Sequence, residues 1–127
     1  MVGDVLYSKA FTELVSFDEK IARAVASTVT TLSIGEYIDV KLGEAFNEDE
    51  AAYIDMIYKK TACLIETTAY CAALLVGKEA EDYKLYGKNL GLAFQIIDDI
   101  LDIVSDEQTL GKPALNDFKE GKTTLPY

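Results

Sequence analysis

The chain has 127 residues, half of them hydrophobic, and a formal net charge of −10. That length suits one ordinary domain with a sizeable core, and the acidic balance argues against nucleic acid and anionic membranes as partners, and for cations or cationic groups. The chain has no histidine, which excludes Ser-His and Cys-His triads and His-ligated zinc within it.

Only two prolines occur, Pro113 and Pro126, so everything before Pro113 can be helical. Asp4 is expected to cap a first helix running to about Val15, with Leu6, Ala10, Leu14 and Phe17 on its apolar side. Ser16 and Glu19 have capping-box spacing for a second helix, which should end near Leu42 with Gly43 as its stop. Its small residues, Ala22, Ala24, Ala26, Ser27 and Gly35, allow close helix approach. Asn47 and Glu50 predict the start of a third helical stretch reaching about Val76 before Gly77. That stretch is long for a single helix, so a break is expected near Tyr58-Lys59-Lys60. A fourth helix begins near Ala80 or Glu81 and runs to about Val104, with Gly87, Gly91 and Gln95 on a four-residue stripe where another backbone can come close. Ser105 to Asn116 reads as a loop, and Asp117 can start a weak last helix. No strand-like alternation is present, so the expected fold is an all-α antiparallel bundle formed by residues 1–127 as one helical domain.

Cys63 and Cys71 are eight apart and read as small core residues of a reduced, cytoplasmic protein. No window approaches twenty uninterrupted apolar residues, so no transmembrane segment is expected. The N-terminus lacks the basic and apolar regions of a signal peptide. The abrupt start at Met1-Val2-Gly3 and the stop at Leu125-Pro126-Tyr127 do not read as natural termini.

The most informative stretch is Phe94-Gln95-Ile96-Ile97-Asp98-Asp99-Ile100-Leu101-Asp102. Three carboxylates lie in an otherwise apolar run whose side chains point in every direction, so this helix is expected to be buried on most sides. Asp102 shares a face with both Asp98 and Asp99, and Gln95 lies one turn earlier. A solvated acidic face would not carry apolar flanks on both sides. Buried carboxylates need protonation, a basic partner or a hard cation. Aspartate oxygens on one face suit Mg²⁺, which keeps positions for water and phosphate. Lys60, Lys112 and Lys122 are candidate phosphate contacts, although a lone lysine is more often a surface residue, and neither Gly-Lys pair belongs to a Walker A loop. Together the aspartates, the glutamine and the lysines suit a polyphosphate held by Mg²⁺ and ammonium groups. Glu36 and Asp39 fit a partly exposed helix face equally well, and the tyrosines, Tyr53 and Tyr58 among them, read as packing residues.

The run Phe94-Gln95-x-x-Asp98-Asp99-x-x-Asp102, then Gly111-Lys112, Asp117 and Lys122-Thr123-Thr124-Leu125-Pro126, closely resembles the trans-type isoprenyl (polyprenyl) diphosphate synthases. Gly3-Asp4, Gly35-Glu36-x-x-Asp39 and Lys60-Thr61-Ala62 match further signatures of that family in the same order. The resemblance implies an isoprenoid-synthase-like helical fold and a prenyltransferase reaction. An allylic diphosphate ionises with the help of Mg²⁺, the double bond of isopentenyl diphosphate attacks the cation, and a proton is lost. By the same resemblance Asp98, Asp99 and Asp102 form the second aspartate-rich motif. Asp98 would be the most direct Mg²⁺ ligand, and Asp102 and Asp117 would hold metal-bound waters. Lys60, Lys112 and Lys122 would contact the allylic diphosphate. Thr61 and Gln95 would line the pocket near the reacting carbons, with Asp39 nearby. The family's first aspartate-rich motif and its arginine pair would precede Gly3-Asp4. No second Asp-Asp-x-x-Asp occurs, and Arg23 is the only arginine. The chain thus resembles a middle-to-C-terminal portion of a synthase, expected to be inactive alone and to form a homodimer or to associate with the segment carrying the first motif. The alternatives are a non-catalytic subunit of a heteromeric synthase and a helical interaction module without a ligand.

Overall fold

The computed structural model describes residues 1–44 and 48–104. Helix α1 spans Val2–Leu14, α2 Glu19–Leu42, α3 Glu50–Ile57, α4 Cys63–Leu75 and α5 Glu81–Val104, and a π-turn over Tyr58–Ala62 joins α3 to α4. The described residues contain no strand. The break expected near Tyr58-Lys59-Lys60 is this π-turn, which widens the rod without ending it.

The helix starts are set by different residues from those expected. Helix α1 begins at Val2 with no side-chain cap, and Asp4 pairs with the N-terminal ammonium at 2.9 Å. Asp4 therefore lies inside the first turn, where a carboxylate favours the helix dipole. Asp18 caps α2, its Oδ1 accepting from the Lys20 amide at 2.8 Å. Ser16 is still engaged in the closing turn of α1, its hydroxyl donating to the Glu13 carbonyl at 2.6 Å. Asp49 caps α3 by accepting from the amides of Ala51 and Ala52; Asn47 lies outside the described residues, as do the loop and weak helix expected beyond Val104. Helix α2 ends at Gly43 and α4 runs to Leu75. Gly77 has φ 68°, a conformation that favours glycine and reverses the chain into α5.

Three rods pack antiparallel. On α2, Thr28 meets Thr67 of α4 through a 2.5 Å hydroxyl pair, while Gly35 lies against Lys59 and Lys60. On α5, Gly87 lies against Ile65 and Glu66, and Gly91 against Ala62. The π-turn is thus clamped between glycines of two helices. A Cβ on Gly35 would stand 2.5 Å from the Lys59 carbonyl carbon, and one on Gly91 2.5 Å from the Ala62 Cα. Tyr53, Met56 and Ile57 form the core beside this clamp, with Ile38 and Leu42 of α2, Ile54 of α3 and Leu92 and Ile96 of α5 packed around them. Cys63 and Cys71 are buried and not disulfide-bonded. No residue of α1 is buried, so its expected apolar side is not packed.

Helix α5 also departs from the expectation that it is buried on most sides. Its buried residues are Gly87, Gly91, Asp99 and Asp102. Phe94 and Ile97 are 60 % and 53 % exposed, and Leu90, Leu101 and Val104 are exposed with them. The polar stripe faces the other helices because its glycines permit close approach and its aspartates find donors there, which turns the bulky apolar residues outward.

Candidate active site on the π-turn and helix α5

Consecutive residues on a helix point about 100° apart, so neighbours on one rod can address two different flanking helices. Lys60 and Thr61 do this from the π-turn. Lys60 Nζ donates to Asp39 Oδ2 of α2 at 2.6 Å, and Thr61 Oγ1 donates to Gln95 Oε1 of α5 at 2.8 Å. The glycine clamp brings all three backbones close enough for these short side chains to meet.

From Gln95 the network continues along α5. Gln95 Nε2 donates to Asp99 Oδ1 at 2.9 Å, and the Tyr53 hydroxyl donates to Asp99 Oδ2 at 2.5 Å. Both Asp99 oxygens are thereby satisfied, as a carboxylate only 3 % exposed requires. Burial pushes the Asp99 carboxyl above its ordinary range; the bonds from Tyr53 and Gln95 oppose the rise, neighbouring Asp98 adds to it, and Lys60 counters it. Asp102 is 1 % exposed, whereas Asp98 is half-buried. The three aspartates share a helix without sharing an environment. Among the described residues no three acidic or thiol side chains converge as a metal cage.

The structure therefore brings together Asp39, Lys60, Thr61, Gln95 and Asp99, with Asp98 one residue before Asp99 on α5. Lys112, Asp117 and Lys122 lie outside the described residues. Two residues escaped the sequence reading. Tyr53 was read as packing, and nothing in its local sequence marks it as the donor to Asp99, because the two are 46 positions apart. Glu66 closes the apolar run Ala62-Cys63-Leu64-Ile65 and is followed by Thr67-Thr68, so its sequence did not mark it, yet it is only 7 % exposed.

The sequence profile of the polyprenyl synthetase family matches residues 1–127. The chain belongs to that family. Among curated members, it is 41 % identical over 133 residues to the short chain isoprenyl diphosphate synthase of Methanothermobacter thermautotrophicus, covering 98 % of this chain and 41 % of that protein. It is 38 % identical over 130 residues to the octaprenyl diphosphate synthase of Escherichia coli, covering 99 % and 40 %. The chain thus spans about two fifths of the length of these relatives. The solved octaprenyl pyrophosphate synthase of Helicobacter pylori superposes with a TM-score of 0.93 at 54 % identity, over 100 % of this chain and 42 % of that one. The polyprenyl synthase of Caulobacter crescentus, solved with calcium and isoprenyl diphosphate, gives 0.91 at 37 % identity over 98 % and 39 %. The all-α fold expected from the sequence is the fold of this family. A plain helical interaction module or a non-catalytic subunit is not favoured by these matches. Among the described residues, no helix is long and apolar enough to cross a membrane.

Proposed function

We propose that this chain forms one wall of a trans-prenyltransferase site that joins isopentenyl diphosphate to an allylic diphosphate. The observation that carries the reading is the meeting of Lys60 and Thr61, on one π-turn, with Asp39 on α2 and Gln95 on α5, beside the second aspartate-rich motif. A lysine held by a buried aspartate is a fixed cation, suited to an oxygen of a departing diphosphate. Thr61 and Gln95 present a preorganised dipole pair where positive charge develops on the allylic carbon.

The donor set fits Mg²⁺, which binds through one or two carboxylates and retains waters. Asp98 is half-buried and suited to direct ligation, whereas Asp99 already has a partner on each oxygen and suits an orienting role through Gln95. Asp102 and Asp117 would hold metal-bound waters, and Lys112 and Lys122 would neutralise the remaining diphosphate charge. When bound, Mg²⁺ supplies Lewis-acid stabilisation of the leaving diphosphate. The relative solved with calcium and isoprenyl diphosphate is consistent with a divalent cation beside a prenyl diphosphate here. The partners are an allylic prenyl diphosphate, isopentenyl diphosphate, and a second copy of the chain or a segment carrying further acidic ligands, in a cytoplasmic setting.

Calorimetric titration of the 127-residue chain with inorganic diphosphate tests this reading. Binding is expected with Mg²⁺ and not without it, and Asp98→Asn should weaken it by at least about tenfold, the scale of one lost charge-assisted contact. Mg²⁺-independent binding, or none at millimolar diphosphate, would overturn it.

A further inference from the structure

Thr61 and Gln95 meet across two rods, but neither residue sets the direction of their bond. A threonine hydroxyl can donate or accept, and a glutamine amide has a donor end and an acceptor end. The pair can therefore form in two senses: Thr61 donates to the amide oxygen, or the amide nitrogen donates to Thr61. The structure holds the first, with Thr61 Oγ1 donating to Gln95 Oε1 at 2.8 Å. The sense matters for the chemistry proposed above. A threonine whose proton is committed to Gln95 has only lone pairs to offer a developing cation, which they stabilise. In the reverse sense the hydroxyl proton would be free to face the cation and oppose it.

The sense is decided one turn further along α5. Asp99 Oδ1 accepts from Gln95 Nε2 at 2.9 Å. A carboxylate only accepts, so it draws the amide nitrogen and leaves the amide oxygen facing Thr61. Gln95 and Asp99 lie on the same helix, so their bond alone ties neither to another rod. Tyr53 supplies that tie, donating from α3 to Asp99 Oδ2 at 2.5 Å. Tyr53 is 3 % exposed and belongs to the core cluster with Met56 and Ile57, against which Ile38 and Leu42 of α2 and Leu92 and Ile96 of α5 pack. Its hydroxyl is thus held in place by a ring that has no room to swing away.

The π-turn brings the two ends of this chain of bonds to one side of their rod. Tyr53 and Thr61 are eight positions apart, and in an unbroken α-helix that spacing leaves side chains about 80° apart. The π-turn over Tyr58–Ala62 takes up an extra residue. Thr61 therefore stands close to where the seventh residue after Tyr53 would stand in an α-helix, within about 20° of the same face. Two groups on one rod grip two groups one turn apart on α5.

We propose that Tyr53 is a positioning residue: by holding Asp99 from α3 it fixes which end of the Gln95 amide faces Thr61, and so which way Thr61 presents its hydroxyl to the substrate. The inference rests on the reading of Thr61 as a substrate-facing group for its functional meaning, and on hydrogen-bond geometry alone for its structural meaning. Without the Tyr53 hydroxyl, Asp99 Oδ2 would be buried with no donor, which is unfavourable. Asp99 would turn to recover one, and the Gln95 amide, bonded to its other oxygen, would turn with it.

The test compares Tyr53→Phe and Asp99→Asn with the wild-type 127-residue chain, using two readouts. The first is the side-chain amide of Gln95, followed by NMR without ligand. In the wild type one of its protons is bonded to a buried carboxylate, so it should resonate downfield and exchange slowly with solvent. Both variants should move that resonance and speed its exchange. The second is calorimetric affinity, with Mg²⁺, for two probes that share a diphosphate. One is an allylic thiolodiphosphate with a neutral tail; the other carries an ammonium nitrogen in place of the carbon where the cation develops. The ratio of the two affinities reads the Thr61–Gln95 pair and cancels the diphosphate contacts. Each variant should lower the preference for the ammonium probe by about tenfold, the effect of one lost bond to a charged group. The double variant should lose no more than Asp99→Asn alone, because Tyr53 acts through Asp99. Thr28→Val removes the Thr28–Thr67 bond; it should lower the melting temperature while leaving the Gln95 resonance and the affinity ratio unchanged, which separates positioning from general stability. A wild-type Gln95 resonance in Tyr53→Phe would overturn the inference, as would an unchanged ratio in a chain that binds both probes. If the wild-type chain binds neither probe, or does not prefer the ammonium probe, the functional reading fails, and the Gln95 resonance alone decides the positioning role.

Discussion

Replacing Gly91 by alanine probes the contact on which the whole site depends. The new Cβ would stand 2.5 Å from the Ala62 Cα and 2.8 Å from the Ala62 Cβ. Carbon atoms pack favourably at about 3.5–4.0 Å, so α5 must retreat from the π-turn by about 1 Å. The obstacle is backbone on both sides, and no flexible side chain can yield instead. Overpacking of this kind costs about 1–3 kcal/mol, while glycine to alanine within a helix returns up to about 1 kcal/mol. The net expectation is a loss of about 1–2 kcal/mol, or a melting temperature lower by roughly 3–8 °C for a domain of this size. The retreat also stretches the 2.8 Å bond between Thr61 and Gln95, so diphosphate affinity should fall with stability. Gly3→Ala is the counterpart. It lies in α1 with nothing within 4 Å of an added Cβ, so the same change should stabilise by a few tenths to about 1 kcal/mol. Thermal melting by circular dichroism reads both variants. Gly91→Ala melting at or above the wild-type temperature would refute the close-approach reasoning.

Tyr53→Phe removes one of the two donors to the buried Asp99 and should cost roughly 1–3 kcal/mol in urea denaturation. The Asp99 carboxyl is raised in the folded state, so its contribution is greatest below the ordinary carboxylate range and is lost as pH rises through the raised value; the Tyr53→Phe penalty should therefore be larger at pH 7 than at pH 4, and equal penalties would refute this. For Tyr58, raised from 10.0 to about 12, stability is fully present below pH 10 and declines as pH rises towards 12. Ultraviolet titration should show the Tyr58 phenol ionising late, and a Tyr58 phenol titrating near its ordinary value of 10.0 would count against it.

Much of the architecture was legible because it depends on local chemistry. The ends of α2, α4 and α5 follow from Gly43, Gly77 and the run after Ala80, and the break at Tyr58-Lys59-Lys60 follows from the excessive length of one helical pattern. The stripe Gly87, Gly91, Gln95 announced a close backbone approach, since only small residues permit one. The family resemblance singled out Asp39, Lys60, Thr61, Gln95 and Asp98, and the structure brings Lys60 onto Asp39 and Thr61 onto Gln95. The caps were misassigned where two polar residues competed within one short turn, as Ser16 did with Asp18. The outward apolar face of α5 and the separate environments of Asp98, Asp99 and Asp102 were decided only by tertiary structure. Periodicity states which residues share a face, but not which neighbour that face meets. Likewise, a hydroxyl 46 positions away on Tyr53 satisfies Asp99, and the two glycines that clamp the π-turn lie on helices on opposite sides of it. Contacts of that span are set by how three rods pack together, which no single helix specifies.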